Sequence, residues 1–298
     1  MAVPAHLLDN AGVRGDPISR RLRSYFDELA GGEWTRLEQS PAGVVSHAVH
    51  RRFLEDHVRA GDRVLEIGAG PGRFTLELAR LGARVVVTDV SPVQLELNVA
   101  TMRRHDAEHS VEDRHLLDVR DAVSAGLGDF DVVTAFGGPL SYVFEDAADA
   151  LTGLLDLVAP GRPVLASVMS LLGSWRALLG PSLEQADEVG DRVMAELLRT
   201  GDLRPAQPTG HVCQLYRWSG VGALVESCGA AVISASASNW ASLGDPSAVA
   251  RIASNPARWG YFIDQEIAMC REPGALDGGT HILFAAVRNG PANESPSE

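Results

Sequence analysis

Val64-Leu65-Glu66-Ile67-Gly68-Ala69-Gly70-Pro71-Gly72-Arg73 is the stretch that decides the fold. A β-prone run carries a carboxylate into glycines at every second position. A helix-compatible run, Phe74 to Leu81, follows at once. This is a strand, a tight turn and a helix N-terminus, which lets a backbone approach a ligand closely. Beyond it, Val85-Val86-Val87-Thr88 predicts a second strand ending in Asp89, 21 residues after Gly68. An acid at that distance lies at the tip of the neighbouring parallel strand, where it can accept from both ribose hydroxyls.

The dinucleotide fingerprint G-x-G-x-x-G does not fit, because Arg73 stands where it wants glycine. Glu66 would repel a pyrophosphate but suits an ammonium. A ligand with a ribose, a cationic amino acid end and no phosphate is S-adenosylmethionine. Glu66-Ile67-Gly68-Ala69-Gly70-Pro71-Gly72 resembles the E/D-x-G-x-G-x-G motif of the class I S-adenosylmethionine-dependent methyltransferases, and Asp89 resembles their ribose acid. The resemblance covers residues 60–170 firmly and the rest loosely. It implies a Rossmann-like α/β fold: a doubly wound seven-stranded sheet whose last strand is antiparallel.

Composition agrees with a globular enzyme. The chain has 298 residues, 45% hydrophobic, enough for one large domain with insertions. All 26 basic residues are arginine, so a Walker lysine and a Schiff-base lysine are excluded. A net charge of -13 argues against nucleic acid as a partner. Cys213, Cys228 and Cys270 are too few and too scattered for a disulfide framework and read as small buried thiols. The N-terminus lacks a secretory pattern and no apolar run is long enough to span a membrane, so a cytoplasmic location is expected.

Along the chain, residues 1–17 read as a flexible arm and 18–60 as a helical lid, with apolar stripes at Leu22, Phe26, Leu29 and at Val45, Val49, Phe53. The methyltransferase domain is expected over 61–288 and a disordered tail over 289–298. Strands are predicted near 63–68, 84–89, 113–118, 130–136, 162–169, 230–239 and 280–288. Helices are predicted near 72–81, 92–104, 145–158 and 219–228, the last capped by Ser219. Two long insertions, 170–211 and 241–279, are read as ordered parts of a cap over the strand ends. The first should hold a helix from Leu183 to Arg199, opened by the capping box Ser182-x-x-Gln185.

The resemblance implies a cofactor-binding set of Glu66, Gly68, Ala69, Gly70, Gly72, Asp89, Val90, Gln94, Asp118, Val119, Phe136 and Gly137. In it Glu66 holds the methionine ammonium, Asp89 the ribose and Asp118 the adenine amine. The segment Phe136-Gly137-Gly138-Pro139 lacks the Asn/Asp-Pro-Pro-aromatic motif of nucleic-acid amine methylation, a Pro-Cys nucleophile and metal-binding carboxylates. The resemblance therefore implies metal-independent displacement of the sulfonium methyl by an O, N or C nucleophile of a small, apolar or aromatic metabolite. S-adenosyl-L-homocysteine would be the product.

His211 is the first candidate base, with His47 and His50 behind it. Tyr25, Trp34, Tyr142, Trp240 and Trp259 are candidate walls of the acceptor pocket. The chain is expected to act as a monomer or homodimer. Two other readings stay open: a cofactor-binding protein of this fold with a non-methylating role, such as a cyclase or decarboxylase, and a non-catalytic partner module.

Overall fold

The computed structural model describes residues 14–290. Among these, seven strands run in chain order as β1 (Arg63–Ile67), β2 (Arg84–Asp89), β3 (Val111–Leu116), β4 (Val132–Ala135), β5 (Val164–Met169), β6 (Ala230–Ala237) and β7 (His281–Arg288). They form one sheet in the order β3-β2-β1-β4-β5-β7-β6. The pairs from β3 through β5 are parallel, and β7 lies antiparallel to both β5 and β6. The expected seven-stranded sheet with an antiparallel last strand is what forms. Val85, Val86 and Val87 are all buried, as a strand covered on both faces requires.

The helices of the alternating core are α4 (Arg73–Arg80), α5 (Pro92–Arg104), α6 (Ala147–Asp156) and α10 (Trp218–Ser227), preceded by α1 (Pro17–Leu29), α2 (Gly32–Arg36) and α3 (Pro41–His57). Ser91 caps α5 through its hydroxyl and Pro92 opens the helix, as the sequence predicts. Val45, Val49 and Phe53 of α3 are buried against Leu78, Val85 and Phe136. Burial of each such side chain contributes roughly 1.5–3 kcal/mol.

Three expectations are corrected. The single helix from Leu183 to Arg199 is two, α8 (Leu179–Val189) and α9 (Asp191–Thr200), broken at Gly190 (φ 88°, ψ 149°). Ser182 is not its cap: the Ser182 amide donates to Leu178 O inside α8, and the Gln185 amide reaches Ala206 O. Nor does Ser219 cap α10. That helix starts one residue earlier, and the Trp218 amide donates to Asp277 Oδ1 at 2.7 Å.

The first insertion places α7 (Leu171–Ala177) at the carboxyl end of β5. The second forms α11 (Pro246–Ala253) and α12 (Pro256–Met269), which pack on α3 rather than over the strand ends. Its apolar residues Trp259, Phe262 and Ile263 have core to cover there. Buried Glu266 ties it down by accepting from the amides of Trp240, Ala241 and Ser242 at 2.8–3.1 Å.

Of the expected flexible arm, residues 1–13 lie outside the described residues, and Asp16 caps α1. Of the expected tail, 291–298 lie outside them. Among the described residues, no helix is long and apolar enough to cross a membrane. The three cysteines are buried and free, and burial pushes the Cys213 thiol up to about 12.

Candidate functional site

In the sheet order, connections run outward from β1 on one side and from β4 on the other. Ligands in open α/β sheets bind at such a switch point, beyond the carboxyl ends of the strands. The glycine loop leaves β1 there. Gly68 (φ 68°) comes so close to the segment after β4 that a Cβ would lie 2.9 Å from Pro139 Cγ. Gly70 (φ 55°) faces open space, and its nearest neighbour would be Gln94 Oε1 at 3.9 Å. Only glycine takes both conformations and leaves the backbone open to a ligand.

A cavity of about 360 Å³ opens at this point. Gly68, Gly70, Asp89, Val90, Gln94, Asp118, Val119, Phe136 and Gly137 line it. Asp89 is positioned by its own strand end: Oδ2 accepts from the Gly70 amide at 2.8 Å and Oδ1 from the Ser91 amide at 2.9 Å. Gln94 Nε2 donates to the carbonyls of Phe26 (2.9 Å) and Ala30 (3.0 Å) at the end of α1. This orients its Oε1 toward the glycine loop, where it is buried with no donor among the described residues. A buried acceptor left open costs about 1–3 kcal/mol unless a ligand supplies the proton.

Glu66 does not line the cavity. Its side chain turns under the loop and accepts from Thr75 Oγ1 at 2.6 Å. Thr75 in turn accepts from Asn98 Nδ2, and Asn98 Oδ1 accepts from Arg114 Nε. Of the two ways in which Glu66 was expected to hold a methionine ammonium, directly or through water, the direct one is closed to a side chain that turns beneath the loop and supports it. Ala69 and Gly72 also lie outside the lining. Desolvation, helped by the charge of Asp89, pushes the Glu66 carboxyl up to about 8. The folded state therefore keeps a proton that the unfolded chain loses above about 4.5, and Glu66 makes stability fall as pH rises from there to about 8. Glu66→Gln should remove that part of the fall. In urea unfolding the variant gains on the wild type at pH 9 and not at pH 4; parallel profiles would refute the assignment.

Asp118 lines the cavity, but Arg120 occupies its carboxylate with bonds of 2.9 Å to Oδ1 and 2.7 Å to Oδ2. Arg120 also contacts Asp146, the α1 cap Asp16 and, on α1, Ser19. The same helix is fixed by Ser91 Oγ donating to Asp27, and by Arg21 donating to the carbonyls of Gln207 and Gly210. Thus α1 roofs the cavity with Leu22, Tyr25 and Phe26.

His211 also lines the cavity, with Nε2 3.1 Å from the Tyr142 hydroxyl and its ring 5.1 Å from that of Tyr25. The next residue, Val212, is buried with Leu22 and Phe144, and the Gln214 amide binds Ser141 O. These contacts pin the segment that carries the imidazole. Tyr25 and Tyr142 line the same cavity.

The structure does not bring the remaining candidates into the cavity. His47 faces Glu77 at 3.2 Å. His50 is buried between Phe74 and Phe136, with Nδ1 donating to Ser46 O. Trp34 stacks on the Arg73 guanidinium at 3.7 Å and holds the start of α4. Trp240 covers Gly278, and Trp259 packs in the core beneath α3. Arg120 and Met169, which no sequence signal singled out, line the cavity, and so does His281, which as the first residue of the last strand reads as packed or exposed. His281 opens β7 at the same sheet edge as Met169, its register partner, so the pairing of β5 with β7 carries the missing signal. Among the described residues, no three His, Cys, Asp or Glu side chains come together as a metal site.

Residues 64–161 match the model of a methyltransferase domain. These residues form a class I S-adenosylmethionine-dependent methyltransferase domain. A magnesium-protoporphyrin O-methyltransferase of Rhodobacter capsulatus is 34% identical over 148 residues, 46% of this chain and 64% of that protein. A ubiquinone biosynthesis O-methyltransferase of Azotobacter vinelandii is 31% identical over 147 residues, 49% of this chain and 61% of that one. The chain thus spans less than two thirds of the length of these curated relatives. The CcbJ methyltransferase of Streptomyces caelestis shares the fold, with a TM-score of 0.58 at 14% identity over 89% of this chain and 98% of that one.

The methyltransferase domain fits an adenosyl sulfonium cofactor on its own geometry. A ribose would meet Asp89 and the open Gln94 Oε1 together, and the glycine backbone leaves free the room that a Cβ at Gly70 would take.

Proposed function

We propose that this chain is an S-adenosylmethionine-dependent O-methyltransferase acting on the hydroxyl of a small, largely apolar or aromatic molecule. One observation carries the reading: a single cavity joins the glycine loop and Asp89 to the hydrogen-bonded pair Tyr142 and His211. The relatives named for O-methylation support oxygen as the nucleophile. When bound, the cofactor supplies an electrophilic methyl on a sulfonium.

The chain's own residues do the rest. Asp89 and Gln94 hold the ribose, and Gly68 and Gly137 flank the methionine arm. Phe136 and Pro139 line the same cavity and would wall the reacting end of the cofactor. Tyr142 and Tyr25 position the acceptor ring. The proton leaving the acceptor hydroxyl ends on His211 Nε2, directly or through the Tyr142 hydroxyl. Holding the nucleophile about 3–3.5 Å from the methyl in line supplies much of the rate. Beneath α1 the acceptor is shielded from water. The residues over 18–60 serve as the lid through α1, and α2 and α3 brace it.

The partner we infer is a small molecule, with a monomer or homodimer in the cytoplasm as the working form. The net charge of -13 speaks against nucleic acid. Calorimetric titration with S-adenosylmethionine, S-adenosylhomocysteine and NAD tests the cofactor class: micromolar binding of the first two without the third is expected. Mass spectrometry of acceptor mixtures then tests the reaction. A product that gains no methyl while cofactor binds would refute methyl transfer.

Gln94→Leu isolates the tie between the lid and the ribose. It removes two donors to the carbonyls of Phe26 and Ala30 and the open acceptor Oε1. S-adenosylhomocysteine affinity should fall roughly 10- to 100-fold, with faster hydrogen exchange in α1. Unchanged affinity and exchange would remove Gln94 from the site.

A further inference from the structure

The cavity volume of about 360 Å³ lies near the lower end of the roughly 300–1,000 Å³ typical of ligand pockets. On the reading above it must hold an adenosyl cofactor and the reacting end of the acceptor. Little enclosed space remains for the rest of an acceptor larger than one ring. The cavity has one apolar edge that reaches the surface at Leu178. Leu178, the junction of α7 and α8, lines it and is also 52% exposed. Around that junction Leu172, Leu179 and Leu183 are exposed by 45%, 46% and 53%. Leu179 and Leu183 are four residues apart on α8 and share a face. No residue of α8 is buried.

Single exposed leucines need no explanation, but several on the helices that flank a cavity-lining leucine mark a surface built to be covered. Arg176, the basic residue of α7, is turned away toward the carbonyls of Trp240 and Gly278. Exposed Glu184, Asp187 and Glu188 follow on α8. That charge distribution repels an anionic lipid surface and leaves a neutral apolar occupant.

We infer that the acceptor is amphiphilic: its hydroxyl end sits at Tyr142 and His211, and an apolar extension passes over Leu178 onto the leucine face of α7 and α8. This inference rests on the methyl-transfer reading and names the substrate class for it. The enzyme selects its acceptor partly by a tail that is never enclosed.

Para-alkylphenols from methyl to octyl are the probes, titrated calorimetrically into the wild type with and without saturating S-adenosylhomocysteine. Kd should tighten about two- to fourfold per added methylene until the leucine face is covered. The double variant Leu179→Ser/Leu183→Ser changes only exposed side chains. It should bind para-methylphenol and S-adenosylhomocysteine as the wild type does, yet lose the gain from the longer chains. A flat series in the wild type overturns the proposal, as does an undiminished chain-length gain in the variant. If sedimentation shows a wild-type dimer that the variant splits, and the series is flat, the leucines belong to a second copy and the proposal falls. Absence of S-adenosylhomocysteine binding would refute the cofactor reading separately, because the series without it still reports on the leucine face.

Discussion

Asp89→Ala is expected to weaken S-adenosylhomocysteine binding roughly 30- to 1,000-fold, the loss of on the order of 2–4 kcal/mol in charge-assisted hydrogen bonds to a ribose. The size follows from what the carboxylate does in the fold. It is buried at the tip of β2, already accepts from the Gly70 and Ser91 amides, and borders the cavity. Those two bonds fix both oxygens in place, so a ribose meets acceptors whose ordering entropy is already spent. The alanine variant also frees the Gly70 amide, so some of the loss comes from a looser glycine loop. Asp89→Asn separates the two: the amide oxygen keeps one backbone bond, and the negative charge is gone. Its affinity should fall between wild type and alanine. Circular dichroism must show both variants folded. Wild-type affinity in a folded Asp89→Ala protein would take the ribose away from Asp89.

The parts of this site that were legible in the sequence are those held by one strand and its following turn. Gly68, Gly70 and Asp89 reach the cavity because strand, turn and helix are consecutive, and a parallel sheet delivers every carboxyl end to one rim. The antiparallel β7 was an expectation of the resemblance alone, because periodicity does not show strand direction. What was not legible depends on which face a side chain takes after the chain has folded back. Glu66 alternates with Leu65 and Ile67 on β1 and therefore points beneath the loop toward Thr75. Ile67, the next residue, lines the cavity. Trp34, Trp240 and Trp259 are large apolar groups on elements whose packing partners are distant in sequence, and each finds helix or core rather than the cavity. Arg120 was passed over for the opposite reason. A lone arginine after Asp118 reads as surface, yet α1 folds over it and turns it into a tie between lid and sheet. Gly190 splits the long helix because its φ of 88° and ψ of 149° lie outside helical space, which its neighbours' apolar spacing hides.

His211→Ala should leave S-adenosylhomocysteine affinity unchanged and lower turnover about 100-fold or more, the usual contribution of a positioned general base. The two expectations separate because His211 pairs with Tyr142 and Tyr25, whereas the bonds that hold Asp89 and Gln94 run to Gly70, Ser91, Phe26 and Ala30. Folding should survive, since the segment is anchored by Val212 and by Gln214 rather than by the imidazole. A purely structural role for His211 would lower turnover without changing its pH dependence. A base must be neutral to act, so the wild-type rate should rise with pH on the acid side, and that limb should vanish in the variant. Added imidazole should restore part of the rate, because truncation leaves room beside Tyr142 for a small base. Tyr142→Phe keeps the ring that packs on Phe26 and removes only the hydroxyl at 3.1 Å from Nε2. If the proton passes through that hydroxyl, Tyr142→Phe approaches the loss seen for His211→Ala, and the double variant costs no more than either alone. If His211 takes the proton directly, Tyr142→Phe loses far less and keeps the pH limb. Undiminished turnover in His211→Ala would assign the deprotonation to another group or to solvent, leaving positioning beneath α1 as the protein's main contribution.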